Sequence, residues 1–142
     1  MSMDFVLDAS VTIRWALQDG SASDRTYAEE VLDSLHTSSA FVPALWYTET
    51  IHVLRCAEES GQFGESFFTE FIYRLGQLPI RLDFAEPAKT QLSVAAISRE
   101  FRLSGYDAQY LELAVRCHLP LATLNSELRR AAIKANIPIY LT

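Results

Sequence analysis

Four polar side chains occur where apolar runs end or where helices begin, and side chains of these types can bind a metal ion. Asp8 comes directly after one apolar run, and Asn125 follows a later run by two residues. Glu49 lies in the first turns of a predicted helix, and Asp107 opens another. Two carboxylates about 4 Å apart repel each other by roughly 4 kcal/mol at an effective dielectric constant of about 20, so acids that meet need a proton or a cation. Oxygen ligands without cysteine or histidine favour Mg²⁺ or Mn²⁺ over Zn²⁺, and such ions polarise phosphate and activate water.

Each acid also has an interpretation that involves structure alone. Ser104 and Asp107 match the S-x-x-D form of a helix capping box. Glu49 is a favourable acid near a helix N-terminus, and Asp8 can cap the helix that follows it. Three acids and an amide at the carboxyl ends of parallel strands are harder to explain in this way, because open parallel sheets bind their ligands at that edge. Taken together, the four residues favour a functional site.

The elements that must position these side chains are short apolar runs that alternate with longer amphipathic stretches. The runs predict four strands and a weaker fifth, at residues 5–7, 40–42, 80–82, 121–123 and 137–140. The amphipathic stretches predict helices over residues 10–17, 23–35, 47–60, 66–75, 87–103, 107–117 and 126–135. Strands that helices separate pair in parallel through right-handed crossovers. The sequence therefore predicts an α/β fold, a three-layer α/β/α sandwich around a five-stranded parallel sheet.

Length and composition predict a single domain over residues 1–142. The chain is 49% hydrophobic and 21% charged, so it is too apolar for disorder and long enough to bury a core. Its formal net charge of −6 argues against a protein that coats nucleic acid broadly, but not against an enzyme that gathers acids around a metal. Arg129, Arg130 and Lys134 cluster near the C-terminus, where the last turns of a helix favour basic residues.

Cysteine usage and the N-terminal sequence indicate a reducing compartment. Cys56 and Cys117 form neither a C-x-x-C pair nor a metal-binding spacing, and both are predicted to be buried as small apolar side chains. Asp4 and Asp8 stand where a signal peptide needs basic residues, and no apolar run reaches about 18 residues. We therefore expect a cytoplasmic protein that does not enter a membrane.

Other acid-based enzymes lack residues that they would require here. A haloacid-dehalogenase-like phosphatase needs Asp-x-Asp after its first strand, whereas Ser10 stands at the second position. A phosphoacceptor receiver domain needs paired acids after its first strand and a lysine after its fifth, and residues 140–142 contain no lysine. Glu49 and His52 have the E-x-x-H spacing of di-iron bundles, but the motif occurs once in a chain that alternates strands and helices.

Four stretches of the chain, taken in order, resemble the PIN domain, and most closely a toxin of the VapC type. They are Phe5–Val11, Val42–Glu49, Leu103–Ala108 and Pro120–Thr123. Each stretch is short, but their ordered set covers essentially the whole chain and is fairly specific. The resemblance implies a parallel five-stranded sheet between helices, and a Mg²⁺- or Mn²⁺-dependent endoribonuclease activity.

The resemblance also assigns roles to individual residues. Asp8, Glu49 and Asp107 match three of the acids that bind metal in the family. Ser10 matches a small hydroxyl residue that supports the metal site, and Thr123 matches the hydroxyl residue after the fourth strand. These matches imply that the three acids hold a metal ion whose bound water attacks an RNA phosphodiester.

One position departs from the family pattern. Asn125 stands where the family commonly places a fourth acid, so the site offers three negative charges and should bind a second metal more weakly. The amide oxygen could still ligate a metal or hold its water, and Glu127 could substitute if its loop turned inward. Arg14 could steady the phosphate, or it could be a solvent-facing residue of a short helix.

The resemblance implies partners as well as an activity. Toxins of this type form homodimers and are silenced by a cognate antitoxin, a segment of which lies in the acidic groove and often offers an arginine to the carboxylates. An apolar surface of Val53, Leu54, Phe67 and Phe71 could receive that segment. The alternative function is a catalytically weak PIN-like module that binds a protein or RNA partner, which the uncharged Asn125 would suit.

Overall fold

A parallel sheet of four strands forms the centre of the molecule. The computed structural model describes residues 3–17 and 19–142, and its strands are β1 (Phe5–Leu7), β2 (Ala40–Val42), β3 (Ile80–Leu82) and β4 (Leu121–Ala122). They lie in the order β3-β2-β1-β4, and every neighbouring pair is parallel. Every residue of β1 and β4 is buried. Their unbroken apolar sequences follow from this, because a strand covered on both faces needs no polar alternation.

The predicted fifth strand is absent from the described residues, so the prediction of a five-stranded sheet is wrong. Ile139 forms only an isolated parallel bridge with Leu121. Two hydrogen bonds of 2.9 Å support the bridge, one from the Leu121 amide to the Pro138 carbonyl and one from the Tyr140 amide to the Leu121 carbonyl. Pro138 has no amide hydrogen with which to extend the ladder, and Leu141 turns the chain away with a φ of 63°.

Helices connect the strands, and each begins within two residues of its predicted start. Within the described residues they are α1 (Ala9–Arg14), α2 (Ala22–Ser34), α3 (Leu45–Glu59), α4 (Glu65–Leu75), α5 (Pro87–Phe101), α6 (Gly105–Cys117) and α7 (Ser126–Lys134). α5 stops two residues before its predicted end because Arg102 adopts a left-handed conformation with a φ of 55°. None of the helices in this part of the chain combines the length and the apolar character that crossing a bilayer requires.

The order of the strands determines which face of the sheet each helix covers. The chain passes from β1 to β2 to β3 in one direction, and it then returns to β4 on the other side of β1. Because crossovers between parallel strands are right-handed, α1 to α4 cover one face and α5 and α6 cover the other. The winding direction therefore reverses between β1 and β4. Open α/β sheets bind ligands in the crevice at the carboxyl ends of such a strand pair.

One cluster of buried apolar side chains joins the sheet to its helices. Tyr110 on α6 is the largest side chain with no exposure, and α6 packs against both β1 and β4. Phe5 of β1 stacks on Tyr140, with ring centroids 3.9 Å apart. The packing therefore holds α6 beside β1, the strand that Asp8 directly follows.

The two cysteines are exposed, so the prediction that both are buried is wrong. Cys56 lies on α3, where its Sγ is 3.9 Å from Nε2 of His52 one turn earlier. The buried stripe of this helix follows positions 46, 50, 54 and 57, and Cys56 falls outside it. Cys117 is the last residue of α6. A cysteine at a helical position is therefore exposed or buried according to the face on which it falls.

Candidate functional site

Asp8 is a buried carboxylate that directly follows β1, and two hydroxyl groups bind one of its oxygens. The Ser10 hydroxyl donates to Oδ2 at 2.6 Å, and the Thr123 hydroxyl donates to the same oxygen at 2.7 Å. Ser10 lies at the start of α1, whereas Thr123 directly follows β4. The pairing of β1 with β4 brings these distant residues together, since Leu7 lies opposite Ala122.

Asp8 is only 5% exposed, and this burial raises its pKa to about 6. The pKa rises although two hydroxyl groups donate to the carboxylate. The hydrogen bonds from Ser10 and Thr123 favour the charged carboxylate and lower the pKa, but they do not offset burial. The negative charges of Asp107 and Glu49 raise the pKa further. Asp107 and Glu49 therefore lie close enough to Asp8 for their charges to act on it.

The same hydroxyl groups also shape the loop after β4. The Leu124 amide donates to the Ser10 hydroxyl at 3.0 Å, and the Asn125 amide donates to the Thr123 hydroxyl at 3.0 Å. Both hydroxyl groups thus accept from the loop while they donate to Asp8. The loop that carries Asn125 is consequently fixed relative to the buried carboxylate.

Glu49 on α3 is held by a buried tyrosine that sequence reasoning missed. The Tyr110 hydroxyl donates to Oε1 of Glu49 at 2.6 Å. Burial raises the pKa of Glu49, the Tyr110 hydrogen bond lowers it, and the charge of Asp107 raises it. Burial and the negative charges of Asp8 and Glu49 raise the pKa of Tyr110 well above its usual range, so the phenol stays protonated and acts as a donor. Its position three residues after Asp107 on the same helix was the available signal, because residues at this spacing share a helix face.

Asp107 lies in the first turn of α6, and the predicted cap of that helix is present. The Asp107 amide donates to the Ser104 hydroxyl at 3.1 Å. Burial is the largest cause that raises the pKa of Asp107, followed by the negative charge of Glu127, while Ser104 lowers it. The capping interpretation is therefore confirmed, whereas the functional interpretation of Asp107 remains a prediction.

Asn125 contacts Asp107 through its donor side. Nδ2 of Asn125 donates to Oδ2 of Asp107 at 3.4 Å. Its Oδ1 accepts from the amides of Glu127 at 2.9 Å and Leu128 at 3.1 Å, which caps α7. In this arrangement the amide oxygen is committed to the helix, and hydrogens rather than lone pairs face the acid. Glu127 remains exposed in the first turn of α7, where its charge still reaches Asp107.

Arg14 does not join the acids in the described structure. Its guanidinium donates to the Asp19 carbonyl at 2.8 Å and also forms an ion pair with the Asp19 carboxylate. These contacts use the arginine in the turn that follows α1. A role for Arg14 in holding a phosphate would require the guanidinium to leave Asp19.

The chemistry of the donor set fits a hard divalent cation. Asp8 and Glu49 each have one oxygen bound by a hydroxyl donor, and Oδ1 of Asp8 and Oε2 of Glu49 have no hydrogen bond within the described residues. No arginine or lysine among these residues forms an ion pair with Asp8, Glu49 or Asp107. In the same part of the chain, no three side chains of histidine, cysteine, aspartate or glutamate are gathered closely enough to hold an ion. Binding of a metal at these acids would therefore require them to move closer together.

Comparison with known proteins agrees with this geometry. A family model described as "PIN domain" matches residues 5–134. A search of curated proteins finds no match. Among solved structures, the chain is similar to PAE2754 from Pyrobaculum aerophilum, with a TM-score of 0.67 and 18% sequence identity over 92% of this chain and 87% of that chain. At this identity the likeness concerns the fold alone.

Proposed function

The chain belongs to the PIN domain family, and from that premise we propose that it is a metal-dependent endoribonuclease that serves as the toxin of a toxin–antitoxin pair. The PIN domain is generally a nuclease fold, and its members typically use divalent metal ions. The observation that carries the proposal is the buried Asp8 carboxylate, which lies within reach of the charges of Glu49 and Asp107 and forms no ion pair with a described cation. Such a cluster is stable near neutral pH when a cation offsets its charge.

Different residues of the chain would bind the metal and hold its ligands in place. Asp8, Glu49 and Asp107 would hold Mg²⁺ or Mn²⁺, which supplies Lewis-acid polarisation of a phosphate and a water of lowered pKa. Ser10 and Thr123 occupy Oδ2 of Asp8, which leaves Oδ1 for the cation.

Tyr110 and Asn125 act on the other two acids. Tyr110 binds Oε1 of Glu49 and leaves Oε2 available, while Asn125 donates to Asp107 without adding charge. Three negative charges in place of four favour one tightly held ion over two.

Cleavage of RNA by the purified chain tests the activity. We expect total cellular RNA to give discrete fragments in Mg²⁺ or Mn²⁺ and none in EDTA. Asp8→Asn should lower the rate by more than about 100-fold, because it removes a charged ligand from the metal. Circular dichroism should show an intact fold in that variant, and full activity of a folded Asp8→Asn protein would refute the assigned site.

The toxin role has its own test. Expression of the chain alone should arrest the growth of a bacterial host, whereas Asp8→Asn should be tolerated at the same expression level. Growth arrest by both proteins would separate toxicity from the nuclease site.

An aromatic row that begins at Phe63, just before α4, and continues along that helix supports the proposed partners, a second copy of the chain and an antitoxin. The rings of Phe63 and Phe67 lie 4.8 Å apart, those of Phe67 and Phe71 lie 6.1 Å apart, and Phe67 is 44% exposed. Leu54 is only 1% exposed, so it belongs to the core and cannot receive a partner as proposed from the sequence, whereas Val53 is partly buried. Phe67 is the most exposed residue of the predicted surface.

Asn125 supports the second candidate, a catalytically weak module that binds a protein or RNA. An amide that caps α7 with its oxygen and donates to Asp107 with its nitrogen stabilises the acids without a metal. This candidate predicts RNA binding without cleavage in either metal. The cleavage experiment therefore separates the two functions.

A further inference from the structure

Nine of the twelve arginines and lysines of this chain fall into two groups, and Arg25, Arg81 and Arg129 belong to neither. Among the described residues, five form ion pairs with nearby carboxylates: Arg14, Arg55, Arg74, Lys89 and Arg116. Four others lack a carboxylate partner in that part of the chain and occur on two neighbouring segments, with Arg99 and Arg102 at the end of α5 and Arg130 and Lys134 on α7. We call these four residues the basic strip.

A direct contact joins the two segments of the basic strip. The Arg130 guanidinium donates to the Phe101 carbonyl at 3.2 Å, which fixes α7 beside the end of α5. Arg102 follows Phe101 and caps α5, and Arg130 and Lys134 share a face of α7 because they are four residues apart. Like charges brought together in this way repel each other. The fold keeps these positive charges together despite their repulsion, although the chain as a whole has a net charge of −6.

The basic strip adjoins the elements that carry the acids. Only Leu103 separates Arg102 from Ser104, which caps α6, and Asp107 lies in the first turn of that helix. At the other segment, α7 begins at the cap residue Asn125, whose side chain contacts Asp107. Both segments thus lead directly into the site. Tyr106, beside Asp107 in sequence, is 64% exposed.

We propose that the basic strip and Tyr106 form the track along which a single RNA strand approaches the acids. The cations would contact backbone phosphates, and Tyr106 would stack on an unpaired base, a combination typical of surfaces that bind single-stranded nucleic acid. Such a track supplies the local attraction that an acidic protein needs in order to bring a polyanion to a cluster of carboxylates. Exposed Glu100 and Glu127 lie among these residues and limit the contact to a narrow strip. This inference rests on the proposed function and names the surface that serves it.

Salt-dependent RNA binding tests the basic strip. The experiment measures fluorescence anisotropy of a labelled mixed-sequence single-stranded RNA with the full chain carrying Asp8→Asn, in Mg²⁺, over a range of salt concentrations. Each phosphate contact contributes about 0.7 to the slope of log K against log salt for a single strand. Arg99→Gln, Arg102→Gln and Arg130→Gln together should therefore make the slope shallower by about 2.

Matched controls separate the basic strip from general charge. Arg55→Gln, Arg74→Gln and Lys89→Gln remove the same charge from ion-paired residues elsewhere and should leave the slope unchanged. The variant with Arg99→Lys, Arg102→Lys and Arg130→Lys keeps the charge and should keep the wild-type slope, which guards against an effect on folding. Tyr106→Ala should weaken binding roughly tenfold, whereas Tyr73→Ala, at an equally exposed tyrosine on α4, should not.

The outcomes also distinguish this inference from the proposed nuclease activity. Equal slopes in the basic-strip and control variants, or no RNA binding at low salt, would overturn the inference. If the wild-type chain cleaves RNA while the basic-strip variants keep the wild-type slope, the nuclease function stands and the inference fails. If the basic strip determines the slope while no metal supports cleavage, the inference stands and the chain is an RNA-binding module.

Discussion

At the scale of single residues, Asp8 shows how a folded chain holds a charge that burial disfavours. Two hydroxyl donors stabilise its carboxylate, yet the pKa still rises to about 6 because burial outweighs them. Burial is also the largest effect on the pKa values of Glu49 and Asp107, and it raises both. Hydrogen bonds from Tyr110 and Ser104 lower them. A cation would lower all three pKa values, so binding of a metal should release protons. Binding of the proposed ion should therefore change the protonation of the site.

Tyr110→Phe should weaken metal binding without unfolding the protein. The change removes the donor to Oε1 of Glu49 and leaves the buried ring in place. Loss of a residue that orients a metal ligand typically costs about 10- to 100-fold in metal affinity or activity. Titration calorimetry with Mn²⁺ and the rate of RNA cleavage measure the two effects.

Tyr27→Phe is the matched control for that variant. The Tyr27 hydroxyl is buried and donates to the Tyr140 carbonyl at 2.8 Å. Both substitutions should cost about 1 kcal/mol of stability by loss of a hydrogen bond. Equal loss of Mn²⁺ affinity in the two variants would mean that Tyr110 has no particular role at the site.

Asn125→Asp should raise the affinity for Mn²⁺ by about tenfold, since a fourth charge strengthens a site for a hard cation. Aspartate is as good a helix cap as asparagine, so α7 should remain intact. Without metal, the new carboxylate would face Oδ2 of Asp107, and stability in EDTA should fall. Weaker Mn²⁺ binding by calorimetry would remove position 125 from the site.

Some of these residue-level contacts were predictable from the sequence and others were not. Asp8 and Thr123 could be placed together because each follows a buried strand of one parallel sheet. The contact of Tyr110 with Glu49 joins residues 61 positions apart on two helices, and only their packing decides that the two side chains meet. The use of the Asn125 oxygen as a helix cap was visible locally, because asparagine is a preferred cap residue.

At the scale of elements, α6 carries much of the site on one helix. Its cap residue Ser104 orders the first turn, Asp107 follows in that turn, and Tyr110 comes three residues later. The helix packs against β1 and β4, between which the winding direction reverses. Any displacement of its first turn should therefore move Asp107 relative to Asp8.

Ser104→Ala should cost about 1 kcal/mol of stability by removing the cap of α6. Ser21→Ala is a matched control, because Ser21 caps α2 by accepting from the Asp24 amide at the same distance of 3.1 Å. Chemical denaturation should give similar losses for both variants. Only Ser104→Ala should also weaken Mn²⁺ binding, and an equal effect of both variants would show that the cap has a structural role alone.

The accuracy of the predictions for whole elements follows from how each is stabilised. The first three strands match their predicted bounds. β1 and β2 are uninterrupted apolar runs, as is typical of parallel strands that are covered on both faces. In β3, half-buried Ile80 and Leu82 flank the exposed Arg81, and this alternation also indicates a strand. Residues 137–140 have similar composition, but Pro138 and the turn at Leu141 limit them to one bridge. The end of α5 depends on the left-handed backbone conformation of one residue, Arg102. The spacing of apolar residues in the sequence does not reveal such a conformation.

At the scale of the whole molecule, burial of the Asp8 carboxylate should make the free energy of unfolding depend on pH. The folded-state pKa of Asp8 is raised to about 6 from an ordinary value of 3.8. The folded state therefore binds more protons than the unfolded state between these values, and stability falls as pH rises through that range. In EDTA we expect Asp8 alone to lower the free energy of unfolding by up to about 3 kcal/mol between pH 4 and pH 6.

Urea unfolding of the wild-type chain and of Asp8→Asn measures this contribution, because the variant cannot titrate at that position. The difference in stability between the two proteins should shift in favour of the variant as pH rises. Mn²⁺ at pH 7 should stabilise the wild-type chain in proportion to its binding and should affect the variant much less. A difference that does not change between pH 4 and pH 6 would contradict a raised pKa for Asp8.

The distance in sequence between Asp8 and Thr123 also has a consequence for the timing of synthesis. Their hydrogen bond spans 115 residues, and β1 obtains its neighbour β4 only when the last part of the chain has emerged from the ribosome. Until then Asp8 lacks one of its two donors, and the loop that carries Asn125 does not exist. A growing chain therefore cannot assemble this site, and any nuclease activity begins only after translation has passed β4.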